Sequence, residues 1–174
     1  MTVSLHTAVV GAYLQTLPKI AALVDKAEAH CRDNGLSDEA LTGASLAPDM
    51  WPFAKQVMSV TDHSARAIAC LDAGVFGPNL TPAPTDFASL RGHVADAIAQ
   101  LEAVDPTAFD ARADDDMRFE FGTRVMPFTV ADFLLTFSLP NFHFHATSAY
   151  AVLRSQGLPI GKMDYLGAMR LKMA

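Results

Sequence analysis

The sequence predicts an all-α protein: an antiparallel four-helix bundle with a short β-hairpin inserted before the last long helix. Three observations carry this. Apolar residues recur at three- and four-residue steps along four long stretches, as in helices that bury one stripe. Connections rich in Gly and Pro separate those stretches. One short segment switches to apolar–polar alternation, the period of a strand. The helical patterns run to roughly 18 to 28 residues, a length that lets antiparallel neighbours enclose a core. The chain of 174 residues reads as one domain, 1–174.

Leu5, Val9, Tyr13, Leu17, Ile20, Val24 and Ala27 form the first stripe. Pro18 lies inside it and predicts a kink or a split, because it lacks an N–H and crowds the preceding turn. Gly35 after Asn34 is the stop, and Ser37-Asp38-Glu39-Ala40-Leu41 opens a short helical turn. The second helix follows Ala47-Pro48-Asp49-Met50-Trp51-Pro52, with Asp49 as N-cap and Pro52 in the first turn. Phe53, Val57, Val60, Ala67 and Leu71 are its core face, and Gly74 ends it. Gly77-Pro78-Asn79, Pro82 and Pro84 mark a loop.

The third helix starts near Thr85 or Asp86, buries Phe87, Leu90, Val94, Ile98 (or Ala97) and Leu101, and stops before Asp105-Pro106. Asp110 to Asp116 reads as a solvated acidic loop. Met117-Arg118-Phe119-Glu120-Phe121, then Gly122, then Thr123 to Phe128, reads as the hairpin, which must lie on the bundle to be stable. Thr129 with Asp132 starts the fourth helix, which runs to Gly157 with Pro140 in its middle. Leu158 to Gly167 is a tail with enough apolar content to dock.

Composition narrows the function. Apolar residues are 51% and charged residues 18% of the chain, so broad helix faces are buried or some surface is hidden in an oligomer. A net charge of −6 and the lack of any Lys/Arg cluster argue against a nucleic acid as partner. No apolar run reaches about 18 residues, so no membrane span is expected. The opening Met1-Thr2-Val3-Ser4-Leu5-His6 lacks a signal-peptide pattern, and the cytoplasm is the expected compartment. Cys31 and Cys70 read as two reduced structural thiols.

Chemistry concentrates in Leu139-Pro140-Asn141-Phe142-His143-Phe144-His145-Ala146-Thr147-Ser148-Ala149-Tyr150. Two ligands on one helix face sit four residues apart, a step that turns about 40°. His143 and His145 are two apart, about 200°, so one faces in and the other out or into an interface. Phase favours His145, on the stripe of Leu134, Ser138, Asn141, Ser148 and Val152. His143 shares the stripe of Thr136, Thr147, Tyr150 and Arg154, which ends in a charge. His63 lies mid-helix on the second element and can meet His145 across the core. Two readings stand for this pair: hydrogen-bonded buried histidines, or ligands of a metal. His6 approaches the same end without being required there, while His30 and His93 read as surface residues.

No Ser-His-Asp set, GxSxG, phosphate loop or GxGxxG is legible, and no helix carries the ExxH pairs of di-iron bundles. Asp114 with Asp116, and Asp38 with Glu39, sit in loop or capping contexts.

The phrases Leu46-Ala47-Pro48-Asp49-Met50-Trp51-Pro52, Asp62-His63, Leu139 to Arg154 and Gly157 to Gly167 resemble a bacterial family of unknown function in the DinB/YfiT-like superfamily of four-helix bundles. The resemblance spans nearly the whole chain. It implies a bundle fold and a homodimer. Metal-binding members carry one histidine on helix two and an HxxxH pair on helix four. By position, His63 matches the helix-two ligand and His145 one helix-four ligand, whereas the four-residue neighbours of His145 are Asn141 and Ala149. The chain therefore departs from the three-histidine pattern, and a divalent ion such as Zn²⁺ or Ni²⁺ would need water or a carboxylate to complete its shell.

Two functions compete. One is a non-catalytic bundle that binds a small apolar ligand or a partner, with a degenerate metal site and a pocket formed by Asn141, His143, Ser148 and Tyr150. The other is a divalent-metal enzyme of thiol-transferase or hydrolase type using His63 and His145, as the resemblance implies.

Overall fold

The first helix, α1 (Leu5–Asp33), begins where Ser4 Oγ accepts the Thr7 N–H at 3.2 Å. The computed structural model describes residues 3–169 and 171–172. Met1 and Thr2, the first residues of the opening segment, lie outside the described residues. Val9, Tyr13, Leu17, Ile20, Val24 and Ala27 are all buried on one side of α1, as their spacing predicts. Pro18 neither splits the helix nor ends it. It sits on the exposed side, while Leu17 and Ile20 on either side of it are fully buried. Packing of both halves against one core outweighs the local cost of the proline, about 3 kcal/mol. Gly35, at φ 66, stops the chain's helical course.

Contrary to the reading of its apolar runs, α1 is long and apolar enough to cross a membrane by length and composition alone. Here its apolar stripe faces the protein core, and it packs against α5 (Phe87–Glu102) and α8 (Leu139–Ser155). A short α2 (Glu39–Thr42) precedes α3 (Phe53–Thr61), which packs on the same two helices.

The start of α3 corrects the predicted cap. Pro52, in extended conformation, occupies the N-cap position and its carbonyl accepts the Gln56 N–H, so Asp49 caps nothing. The helix then widens into a π-helical segment, Asp62–Arg66, before a last turn, α4 (Ala67–Ala69). The fourth helical stretch repeats this device. Thr129 Oγ1 accepts the Asp132 N–H at 3.1 Å and opens α7 (Val130–Asp132). A second π-helical segment, Phe133–Ser138, leads into α8. Pro140 is the second residue of α8, directly after the π segment and, as expected, inside a continuous helical run. Neither π segment was visible in the helical phase.

In the third stretch Asp86 Oδ1 caps α5 by accepting the Ser89 N–H at 2.7 Å. Ala97 is the buried alternative and Ile98 is half-buried. The acidic loop is shorter than expected. Asp105 caps a brief α6 (Pro106–Asp110), whose Phe109 is buried, and Asp116 already belongs to a strand.

The hairpin pairs β2 (Asp116–Phe121) with β3 (Arg124–Thr129) in antiparallel register, Asp116 opposite Thr129 and Phe121 opposite Arg124. Gly122, at φ 59, makes the turn. Pro127 is tolerated because β3 is an edge strand. The sheet has a third member that the sequence did not reveal. β1 (Val75–Phe76) pairs in parallel with β2, Phe76 opposite Phe119. The architecture is thus mainly helical with a small three-stranded sheet, order β1-β2-β3, in place of the lone hairpin expected.

The tail docks as expected. Leu158 and Ile160 are buried, and α9 (Met163–Leu166) packs on α1, with Asp164 paired to Lys26 at 2.5 Å. Cys31 is buried, Cys70 half-buried, and both are free thiols.

Candidate functional site

The site forms where the two π segments face each other. A π turn inserts one residue, shifts the side chains after it around the axis and leaves a carbonyl outside the regular ladder. Here Ser138, the last residue of the second π segment, donates its hydroxyl to the His63 carbonyl at 2.9 Å. Tyr13, buried on α1, donates to Ser138 Oγ at 3.2 Å. This chain of bonds ties the His63 backbone to the core through the buried Tyr13–Ser138 pair.

His145 is buried, at 7% exposure, and His143 is half-buried, so His145 is the inward histidine. The His145 and His63 rings lie 5.6 Å apart between centroids and are nearly parallel, at 16°. Trp51 stacks on His145 of this pair, 5.4 Å between centroids at 10°. His63 in turn meets Phe76 at 5.4 Å and Phe137 at 5.7 Å. Gln56 fixes the middle of the stack. Its Nε2 donates to the Trp51 carbonyl at 3.1 Å, so its Oε1 is the acceptor for His145 Nδ1 at 2.8 Å.

That bond assigns the tautomer: His145 carries its proton on Nδ1 and keeps a lone pair on Nε2. His63 is the reverse case. Among the described residues its Nδ1 is buried without any partner. A stranded N–H is the costlier orphan, so the proton belongs on Nε2 and a bare lone pair occupies Nδ1. Both rings are neutral. Burial pushes His63 down to about 3, with His145 and Arg66 adding to the effect. Burial pushes His145 down to about 4, helped by the Lys55 ammonium.

The stack floors a cleft of about 610 Å³, a size suited to a small organic molecule. Phe76, Phe119, Phe137, Pro78 and Leu80 form its apolar walls, and Trp51 stands half-exposed at its mouth. Residues of the second helix tie down the wall loop. Lys55 Nζ donates to the carbonyls of Asn79 at 2.9 Å and Thr81 at 3.3 Å. Arg66 donates to the Gly77 carbonyl at 3.0 Å, and Asp62 accepts from Asn79 Nδ2 at 3.0 Å.

The pocket expected from the sequence is divided in the structure. Asn141 and His145, one helical turn apart, both line the cleft. His143 and Ser148 instead line a shallow depression with Leu46 and Phe144. Tyr150 faces Tyr165, ring centroids 6.2 Å apart, and Tyr165 Oη also lies 3.4 Å from His143 Nδ1. His6 packs edge-on against Phe109 at 5.9 Å, and its N–H donates to Asp110. His93 is exposed and His30 half-buried. Sequence reasoning missed Trp51, Gln56, Lys55 and Arg66. Trp51 directly precedes Pro52 and Gln56 lies four residues after it, so a helix-start proline with a tryptophan before it and an amide one turn on was the available signal.

Whether these residues suit a metal follows from the same tautomers. Two imidazoles on one zinc, with bonds of about 2.0–2.1 Å, put their centroids about 5 Å apart, close to the spacing seen. A ligating histidine normally donates its other N–H to an acceptor. His145 meets this condition through Gln56. His63 does not: ligation through Nε2 would move its proton to the orphaned Nδ1. Among the described residues no group of three His, Cys, Asp or Glu converges. The donor set does not fit a transition-metal centre.

Comparison with known proteins bears on the whole chain. A family model described as a domain of unknown function, DUF1993, matches residues 5–166. The crystal structure of a DinB family member protein from Shewanella denitrificans superposes with a TM-score of 0.79 at 29% identity, covering 98% of this chain and 96% of that one. No curated protein matches.

Proposed function

The chain belongs to the DUF1993 family of unknown function, and we propose that it is a non-catalytic antiparallel four-helix bundle that binds a small apolar molecule. One observation carries this: a largely apolar cleft of about 610 Å³ whose floor is a neutral, stacked histidine pair. Aromatic walls supply affinity by removing apolar area from water, and a few polar groups at the base fix orientation. Nothing in the floor is arranged as a nucleophile with its base.

Titration with 2-methylnaphthalene, followed by backbone amide NMR shifts, tests the reading. Saturable shifts confined to residues around Trp51, His63, Phe137 and His145 are expected, and Thr81→Phe, which fills the mouth from an exposed loop position, should abolish them. Absence of saturable shifts, or shifts centred elsewhere, would refute it.

The competing reading is a divalent-metal enzyme of thiol-transferase or hydrolase type, with Zn²⁺ or Ni²⁺ on His63 and His145. Its support is the ring spacing of 5.6 Å. The orphaned His63 Nδ1 weighs against it. A second copy of the chain remains the proposed partner, supported by exposed Leu46 and Phe144 around the shallow depression; sedimentation reads this directly.

A further inference from the structure

The floor of the cleft presents three polar atoms of defined sense. His63 offers a donor, because its Nδ1 is buried and unpartnered and the proton sits on Nε2. His145 offers an acceptor, because its Nδ1–H is committed to Gln56 Oε1 at 2.8 Å. Asn141 offers a second acceptor. Its Nδ2 is committed to the Phe137 carbonyl at 2.7 Å, which leaves Oδ1 for the cleft that Asn141 lines beside His145. The charged groups nearby are not free to take a ligand's head. Lys55 donates to two loop carbonyls, and Arg66 donates to Gly77 and pairs with Asp62, while the remaining Arg66 Nη1 is without a partner among the described residues but is itself buried, out of reach of a molecule in the cleft.

From one donor beside two acceptors we infer that the cleft's ligand carries a primary carboxamide on an apolar, ring-sized body. This rests on the small-molecule reading above and names its ligand class. The amide carbonyl accepts from His63 Nε2–H. The two amide N–H groups donate to His145 Nε2 and Asn141 Oδ1. Every polar atom of the head is then satisfied, as desolvation demands. A carboxylate would meet two acceptors and a single donor, and a tertiary amide would leave both acceptors stranded. Phe76, Phe119 and Phe137 take the flat body.

Calorimetric titration of the full chain at pH 7.5 with four probes of one ring system decides this: 2-naphthamide, N,N-dimethyl-2-naphthamide, 2-naphthoate and 2-methylnaphthalene. The primary amide is expected to bind at least about tenfold more tightly than each of the others, the effect of two buried acceptors left unpaired. Asn141→Leu, checked for a native circular-dichroism spectrum, should erase the preference while sparing the hydrocarbon. Equal affinities for all four, or tighter naphthoate binding, would overturn the carboxamide assignment and leave the apolar-ligand reading standing. No binding by any probe would overturn both.

Discussion

His145 is locked to Gln56. Its Nδ1–H donates to Gln56 Oε1 at 2.8 Å, and the same amide reaches the Trp51 carbonyl at 3.1 Å. One first-turn side chain thus sets both the tautomer of a buried histidine and the position of the indole stacked on it. Gln56→Leu keeps the volume and removes the acceptor, leaving a buried N–H without a partner. The expected loss is about 1–3 kcal/mol, read as a shift of the urea midpoint at unchanged slope. An unchanged midpoint would mean that His145 finds its partner elsewhere.

The neutral pair also makes the fold acid-sensitive. Burial holds His63 at about 3 and His145 at about 4, with His145 and Arg66 adding for the first and Lys55 for the second. Unfolding returns both toward the ordinary value near 6.5. Below that value the unfolded chain binds protons that the fold excludes, so stability is full above 6.5 and falls as the pH drops toward the folded values. About 1–3 kcal/mol should disappear between pH 6.5 and pH 5, a window in which carboxylates barely titrate. Urea midpoints across that range check it, and His63→Leu should flatten the slope. Trp51, the chain's one tryptophan, reports locally. A cationic His145 in stacking contact quenches indole emission, so emission should fall with a midpoint near 4.

Much of this site was legible by helical phase. The stripe of Leu134, Ser138, Asn141, His145, Ser148 and Val152 pointed His145 inward, and each of these except half-buried Asn141 is buried. The helix start at Thr129, the start near Thr85 or Asp86, the turn at Gly122 and the stop at Gly35 were legible too, because each rests on a local chemical requirement. The parallel pairing of Val75–Phe76 with Arg118–Phe119 was not, since two residues carry no period and their partner lies far along the chain. Both π segments escaped for a related reason: a single inserted residue is invisible to a 3.6-residue template. Trp51 precedes its helix and belongs to no stripe, so only the fold could bring it onto His145.

Ser138 joins two elements that the sequence keeps 75 positions apart, accepting from Tyr13 and donating to the His63 carbonyl. Ser138→Ala strands the buried Tyr13 hydroxyl and takes the donor from the His63 carbonyl. A loss of about 1–3 kcal/mol is expected, against about 1 kcal/mol for Tyr13→Phe, which removes one bond and leaves the other intact. If the two variants cost the same, the hydroxyl is not the bridge between the π segments.

Position on the helix separates His145 from a surface histidine. His145→Ala removes a ring packed between Trp51 and His63 and leaves the Gln56 amide oxygen without its donor. About 2–3 kcal/mol should be lost, whereas His93→Ala, on the exposed side of α5, should stay within about 0.5 kcal/mol. Thermal melts of the two variants beside the parent protein decide it, and equal tolerance would place His145 outside the core.

Metal analysis addresses the remaining question about the pair. Zn²⁺ or Ni²⁺ on both Nε2 atoms would place a proton on His63 Nδ1, where no acceptor reaches it. Among the described residues it would also lack a third protein ligand, since Asn141 offers only an amide oxygen, a poor match for either ion beside imidazole. A ligand that binds the folded chain alone raises the melting temperature, the stabilisation growing with the logarithm of free ligand above its Kd. Protein prepared without a histidine tag should therefore contain far less than one equivalent of either metal by mass spectrometry, and its melting temperature should not move at a tenfold excess. One tightly held equivalent, lost in His63→Leu, would show that the imidazole turns over or that Nδ1 acquires a partner on binding, and the tautomer assignment would have to be reversed.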